Sequence, residues 1–110
     1  MFETLNNYRN TVKEGIDTSN MDFVPLKNFC GKNINVDGFF FNESKYGKQV
    51  VVVGNGYLIN MPKRAVEQFE QIEKTPEMLD ALLEGHLRLE KIMMIDTKNG
   101  STVSYEFKDC

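Results

Sequence analysis

The sequence has little of what builds disulfide frameworks, metal centres and catalytic sites. Its 110 residues include two cysteines, one histidine and no tryptophan. Cys30 and Cys110 do not form a Cys-x-x-Cys motif, and with His86 alone beside them a zinc site of nitrogen and sulfur ligands is close to excluded. His86 has no nucleophile that its spacing would pair with it. We therefore expect no metal, no cofactor and no enzymatic activity.

Long apolar runs are absent as well. No stretch approaches the roughly 18 apolar residues that a membrane-spanning helix needs. The first residues, Met1–Thr4, offer neither a basic leader nor an apolar core, so they do not read as a secretion signal. A hydrophobic fraction of 41% and a charged fraction of 26% are ordinary for one globular domain. These features predict a cytoplasmic protein without a membrane partner.

Charge is unevenly distributed along the chain. The net charge of −3 disfavours nucleic-acid binding by the whole surface. Residues 44–66, however, contain four basic residues and no acidic one, whereas residues 67–90 contain seven acidic residues against two basic ones. Because the two stretches fall on different predicted elements, we expect one basic face and one acidic face.

The amino-terminal part differs in pattern from the rest. Apolar residues recur there at helical spacing: Phe2, Leu5, Tyr8 and Val12. This spacing predicts a short helix, and the polar residues 13–20 that follow predict a linker. We therefore divide the chain into an N-terminal helix and linker, residues 1–21, and a barrel domain, residues 22–110. Residues 22–29 form a lead-in segment, in which Pro25 disfavours both a helix interior and a central strand.

The remaining pattern predicts an α+β, mainly β domain. Five strands are expected over residues 32–41, 49–53, 57–60, 87–95 and 102–107. Pro62 and Thr75 each begin a predicted helix between the third and fourth strands. Gly54-Asn55-Gly56 and Asn99-Gly100 have the composition of tight hairpin turns. In the second helix, Met78 is expected to face inward together with the leucines.

Gly38 interrupts the first predicted strand and indicates a bulge or a sharp bend there. Simple alternation along the strand places Phe40 on the core face, with Ile34 and Val36. Phe39 and Phe41 then fall on the opposite face. They would be covered by the N-terminal helix or by a partner subunit, or they would serve as a stacking platform. A homodimer through this aromatic face is one expectation.

The order of strands and helices is that of the OB fold, a five-stranded Greek-key barrel. Gly31, the Val36-Asp37-Gly38 segment and the Lys45-Tyr46-Gly47-Lys48-Gln49 turn leading into Val50–Val53 resemble small OB-fold single-stranded DNA-binding proteins of phages and mobile elements. The resemblance implies a non-catalytic module for single-stranded DNA or RNA. Its ligand would lie on the second and third strands and on the loops between strands one and two and between strands four and five.

Eight residues are candidates for nucleic-acid binding. The bases would stack on Tyr46, Tyr57 and Phe39, and each stacked base contributes about 1–3 kcal/mol. The phosphates would be held by five basic residues: Lys45, Lys48, Lys63, Arg64 and Lys98. The ordinary alternatives are solvated turn lysines, aromatic rings that pack as lids or at edges, and two exposed charges at the start of a helix.

A rival hypothesis uses the same barrel to bind a protein. In that case the chain is an antagonist of a host defence or nuclease system, similar to an anti-CRISPR inhibitor. The interacting surface would be the acidic helices or the face of Phe39 and Phe41. The two hypotheses differ in a measurable way, because only the first predicts salt-sensitive affinity for an oligonucleotide.

Overall fold

The computed structural model describes residues 11–13, 15–45, 47–98 and 100–110. The predicted N-terminal helix lies outside these residues except for its last two positions. Thr11 and Val12 are not helical: Val12 forms an antiparallel bridge with Gly38. In the part of the chain that is described, no helix is long and apolar enough to cross a membrane.

The described residues form a mainly β domain with two α-helices, which confirms the predicted α+β class. The strands are β1 Phe23–Pro25, β2 Ile34–Ser44, β3 Gly47–Gly54, β4 Tyr57–Asn60, β5 Leu87–Thr97 and β6 Gly100–Asp109. A 3-10 helix, Leu26–Phe29, follows β1, and α1 Ala65–Lys74 and α2 Pro76–Leu83 lie between β4 and β5.

The prediction of five strands is wrong, because the lead-in segment contributes a sixth. Phe23–Pro25 pairs in parallel with β4 at one edge of the sheet. Pro25 can end this strand because an edge strand needs hydrogen bonds on one side only. The helices consequently lie between the fourth and fifth strands rather than between the third and fourth.

The sheet is a half-barrel with strand order β1-β4-β3-β2-β5-β6. Strand β2 joins its two halves. Its residues Val36–Ser44 pair with β3, and Ile34 and Asn35 pair with β5. No ladder among the described residues joins β6 to β4. Helix α1 packs on the core face of the sheet, where the ring of its Phe69 lies 5.0 Å from that of Phe39 on β2 and 5.7 Å from that of Phe107 on β6.

Gly38 is the site of a bulge, as predicted, and the bulge reverses the alternation that follows it. Val36 pairs with Gly54, and Gly38 pairs with the next residue, Val53, so Asp37 is the extra residue. Phe39 therefore shares the core face with Val36, and it is fully buried. The assignment of Phe40 to that face is wrong. Since Phe39 is buried, it offers no surface to a base or to a second subunit.

The sheet is covered on both faces near β3. Val50 and Val52 lie in the main core with the helices. Val51 and Val53 face the other way, into a smaller cluster that also contains Leu58. Residues that pack over this smaller cluster come from the N-terminal segment, residues 1–21, and from β2: Val12, Ile16, Met21 and Phe40. Burial on both faces explains why this strand is a continuous run of valines.

Three hydrogen bonds fix the start of the described chain to β2. Lys13 N–H donates to the Asp37 carbonyl at 2.7 Å, and Phe39 N–H donates to the Thr11 carbonyl at 2.9 Å. The Thr11 hydroxyl donates to the Phe39 carbonyl at 2.5 Å. The described residues 11–13 and 15–21 thus lie against the sheet through these bonds and through the contacts of Val12, Ile16 and Met21, and we call them the N-terminal strap.

Candidate binding surfaces

The hairpin between β2 and β3 carries the first group of predicted site residues. Lys45 lies exposed in its turn, and Tyr46 lies outside the described residues. Lys48 Nζ lies 4.2 Å from the centre of the Phe41 ring and 3.7 Å from Glu70 Oε1 on α1. The charge of Lys48 is therefore partly balanced by an acidic neighbour, and its side chain packs on an aromatic ring of this chain.

Tyr57 is far from this hairpin. It pairs with Gly54, at the end of β3 opposite Lys48. Lys48 and Gly54 are six residue steps apart along the strand, which corresponds to roughly 20 Å. The Tyr57 ring makes an edge contact with Phe29, with the ring centres 6.0 Å apart. Lys48 and Tyr57 therefore do not form one compact site.

Lys98 lies exposed in the turn between β5 and β6, on a third part of the surface. Because β2 and β5 are antiparallel at the Ile34–Leu89 pair, the two hairpins leave that pair in opposite directions. Lys45 and Lys98 consequently lie at the two ends of the long strands. A ligand that touches both turns would have to extend along the length of the half-barrel.

Arg64 makes its contacts with residues of β6. It donates hydrogen bonds to the carbonyl of Val103 and, at 3.5 Å, to the hydroxyl of Thr102. Its guanidinium carbon lies 5.3 Å from the centre of the Tyr105 ring. These contacts join the start of α1 to β6, where a closed barrel would have strand pairing. Lys63, beside it, is exposed.

Tyr105 completes the junction between α1 and β6. Its hydroxyl donates to the side-chain oxygen of Gln68. Burial raises the pKa of Tyr105, and the positive charge and hydrogen bond of Arg64 oppose that rise. The neutral phenol is therefore the form that the fold favours.

The predicted ligand face on β3 and β4 is not accessible in this structure. Its outward residues are apolar and buried beneath the N-terminal strap: Val51, Val53 and Leu58. Such residues offer neither charge to a phosphate nor an aromatic surface to a base. A ligand could reach them only if the strap left the sheet.

A different surface is exposed on the β5–β6 hairpin. Met93, Met94 and Ile95 are 50%, 48% and 39% exposed, respectively. A bulge just before them, where Lys91 has φ 52°, carries the strand out of the core. Since adjacent side chains of a strand point to opposite faces, Met93 and Met94 make both faces of this ribbon apolar. We call residues 93–95 the apolar tip. In the sequence it is visible only as consecutive apolar residues at the end of a predicted strand.

An apolar groove of about 620 Å³ lies at the opposite end of the hairpin, between the helices and β6. Its apolar walls are formed by Ile72, Met78, Leu82, Leu87 and Phe107. Met78 was expected to face inward, yet its side chain is half exposed at this groove. Helical spacing indicated which side of α2 is apolar but not that the sheet leaves part of that side uncovered.

The one histidine lies near the carboxyl end of the described chain. His86 Nδ1 lies 3.1 Å from the Cys110 carbonyl, and its Nε2 lies 3.7 Å from Glu84, with both side chains exposed. Among the described residues, no group of three or more histidine, cysteine or acidic side chains is placed to hold a metal ion.

Comparison of the chain with known protein families, with curated proteins and with solved structures finds no match.

Proposed function

We propose that this protein is a non-catalytic protein-binding module. The apolar tip carries the proposal, because three consecutive large apolar residues are exposed on a ribbon outside the core. Met93 and Ile95 lie on one face of the ribbon and Met94 on the other. Exposed apolar surface of this kind is typical of protein interaction sites, in which methionine is enriched. A single-stranded nucleic acid would instead be held by basic and aromatic groups.

The charge distribution supports a protein partner. Of the basic residues predicted to hold phosphates, Lys48 lies beside Glu70, and Arg64 is hydrogen-bonded to β6. The whole chain carries a net charge of −3. The phosphate backbone of a nucleic acid would therefore meet scattered positive charges rather than a continuous basic stripe.

We further propose that the half-barrel is OB-like. The order β4-β3-β2-β5-β6, with a long β2 that is shared between two neighbours and bulged at Asp37, supports this assignment. The sheet ends at β6, and Arg64 at the start of α1 bonds to the Val103 part of that edge. Since the strap covers the face on which OB folds bind ligands, the protein would use surfaces outside that face.

Affinity capture with matched variants tests the main proposal. The full chain is immobilised, lysate of the source cells is passed over it, and retained proteins are compared with those on Met94→Lys. A control variant, Lys45→Glu with Lys48→Glu, replaces two positive charges of the β2–β3 hairpin and leaves the apolar tip unchanged. We expect a protein retained by the wild type and by the control but lost with Met94→Lys. Equal retention by all three would contradict a role for the tip.

Single-stranded nucleic-acid binding is a second candidate, favoured by one observation. Lys45 and Lys98 are exposed in the two hairpin turns that an OB-like module would use. Fluorescence anisotropy with a labelled oligonucleotide at several salt concentrations tests it. Affinity that falls with salt and is lost in the Lys45→Glu, Lys48→Glu variant would favour this candidate. No binding at low salt would exclude it.

A further inference from the structure

The apolar groove lies next to an unpaired stretch of sheet edge. Strand β6 is the last strand of the sheet, so no strand among the described residues lies on its outer side. Phe107 and Asp109 belong both to this strand and to the wall of the groove. The end of β6 therefore presents a backbone edge and an apolar depression side by side.

The register shows which backbone groups point outward. Cys110 N–H donates to the His86 carbonyl at 3.0 Å, which places that pair at a hydrogen-bonded position. Antiparallel strands alternate hydrogen-bonded and non-hydrogen-bonded pairs, so the Phe107–Leu89 and Asp109–Leu87 pairs are of the second kind. Their N–H and C=O groups on β6 face away from β5. The Val103 carbonyl shows the same alternation, since it accepts from Arg64 on the outer side.

The groove also has a charge preference. Two of the residues that line it are acidic, Glu77 on α2 and Asp109 on β6, and none is lysine or arginine. Both carboxylates lie on exposed residues at the groove. An apolar floor with acidic borders favours a ligand that has apolar side chains flanked by positive charge.

We propose that an extended segment of a partner protein adds to β6 as a further strand, with apolar side chains in the groove and basic residues at its ends. The main chain of the segment would pair with the outward groups of Phe107 and Asp109. Alternate side chains would contact Met78 and Leu87, while lysine or arginine residues approach Glu77 and Asp109. This surface is separate from the apolar tip, so either can fail without the other.

A titration of the ¹⁵N-labelled full chain tests the inference. The probe is a blocked six-residue peptide, lysine-valine-threonine-leucine-threonine-lysine. We expect shifts of the Phe107 and Asp109 amide signals, with saturable binding at up to millimolar peptide. Replacement of both terminal lysines by glutamate should weaken binding by at least about fivefold. Methylation of the peptide amides that face β6 should abolish it.

Protein variants separate the mode of binding from loss of fold. Glu77→Lys with Asp109→Lys should reverse the preference between the two peptides, and both positions are exposed, so the fold is retained. Met94→Lys at the apolar tip should bind the peptide as the wild type does. Absence of shifts at Phe107 and Asp109 would overturn the inference, as would equal binding of the methylated peptide. Concentration-dependent broadening there without peptide would also overturn it, because the occupant would then be a second copy of this chain.

Discussion

Replacement of Gly38 by alanine would test whether the N-terminal strap is held against β2. A Cβ atom at this position would lie 2.5 Å from the Cα of Val12 and 2.7 Å from the carbonyl oxygen of Thr11. Both are backbone atoms, so a side-chain rotation cannot relieve the overlap. Gly38 does not have a positive φ, and alanine would otherwise be accepted there. The substitution therefore acts on the contact with the strap.

The expected cost follows from the contacts that must shift. The three hydrogen bonds between residues 11–13 and β2 contribute about 0.5–1.5 kcal/mol each. The better strand propensity of alanine offsets roughly 0.5–1 kcal/mol of their loss. We expect Gly38→Ala to lower the free energy of unfolding by about 1–4 kcal/mol. Loss of apolar cover over Val51 and Val53 would place the value in the upper part of that range.

Urea unfolding followed by circular dichroism measures this change, and limited trypsin digestion locates it. Released strap residues should make the bond after Lys13 cleavable at a denaturant concentration where the wild type resists. Asn42→Ala, an exposed substitution on the same strand, is the control and should change neither quantity. Unchanged stability of Gly38→Ala, with unchanged cleavage after Lys13, would refute the account of the strap.

Three further predictions concern the core and the junction between α1 and β6. Phe39→Ala should lower the free energy of unfolding by about 3–5 kcal/mol, and by more than Phe40→Ala, because Phe39 is fully buried and Phe40 is not. A larger loss for Phe40→Ala in urea unfolding would instead place Phe40 on the core face, as a strand without a bulge would. Arg64→Ala should cost about 1–2 kcal/mol through its lost bonds to β6, whereas Lys63→Ala should stay within about 0.5 kcal/mol. The raised pKa of Tyr105 means that the fold favours the protonated phenol. Its contribution to stability is present below the ordinary tyrosine pKa of about 10 and is lost as the pH rises above it. Melting temperatures between neutral and strongly alkaline pH should therefore fall less steeply for Tyr105→Phe than for the wild type, and parallel curves would argue against this role.

Local turn chemistry made much of the β-structure predictable. In the β3–β4 turn, Asn55 and Gly56 have φ 53° and 83°, values that these two residue types accept readily. The Asn55 amide also donates to the Asn33 carbonyl at 2.9 Å. The predicted strand over residues 57–60 has the observed bounds of β4, because a tight turn fixes where the strand after it begins.

The phase of β2 was not predictable from local pattern. Gly38 signalled a bulge, but the extra residue is Asp37, and only the pairing with β3 decides that. One extra residue exchanges the two faces of the strand beyond it. Phe39 was therefore placed on the wrong face, and the stacking role proposed for it depended on that placement.

The arrangement of the candidate site depended on long-range topology in the same way. Lys45, Lys48, Tyr57 and Lys98 fall on the strands and loops with which an OB fold binds its ligand, so the sequence predicted one shared site. The antiparallel pairing of β2 with β5 instead sends the two tips in opposite directions. The exposure of the apolar tip was not predicted, because the bulge that precedes it has Lys91 rather than a glycine at its positive-φ position.

Photocrosslinking at the apolar tip tests the central claim of a protein-binding function most directly. A benzophenone amino acid would replace Met94, and another copy of the protein would carry it at Asn42 as a control for an exposed strand position. In the source cells, we expect a discrete protein adduct from position 94 that is absent from position 42. Adducts with nucleic acid alone, or the same adducts from both positions, would contradict the account.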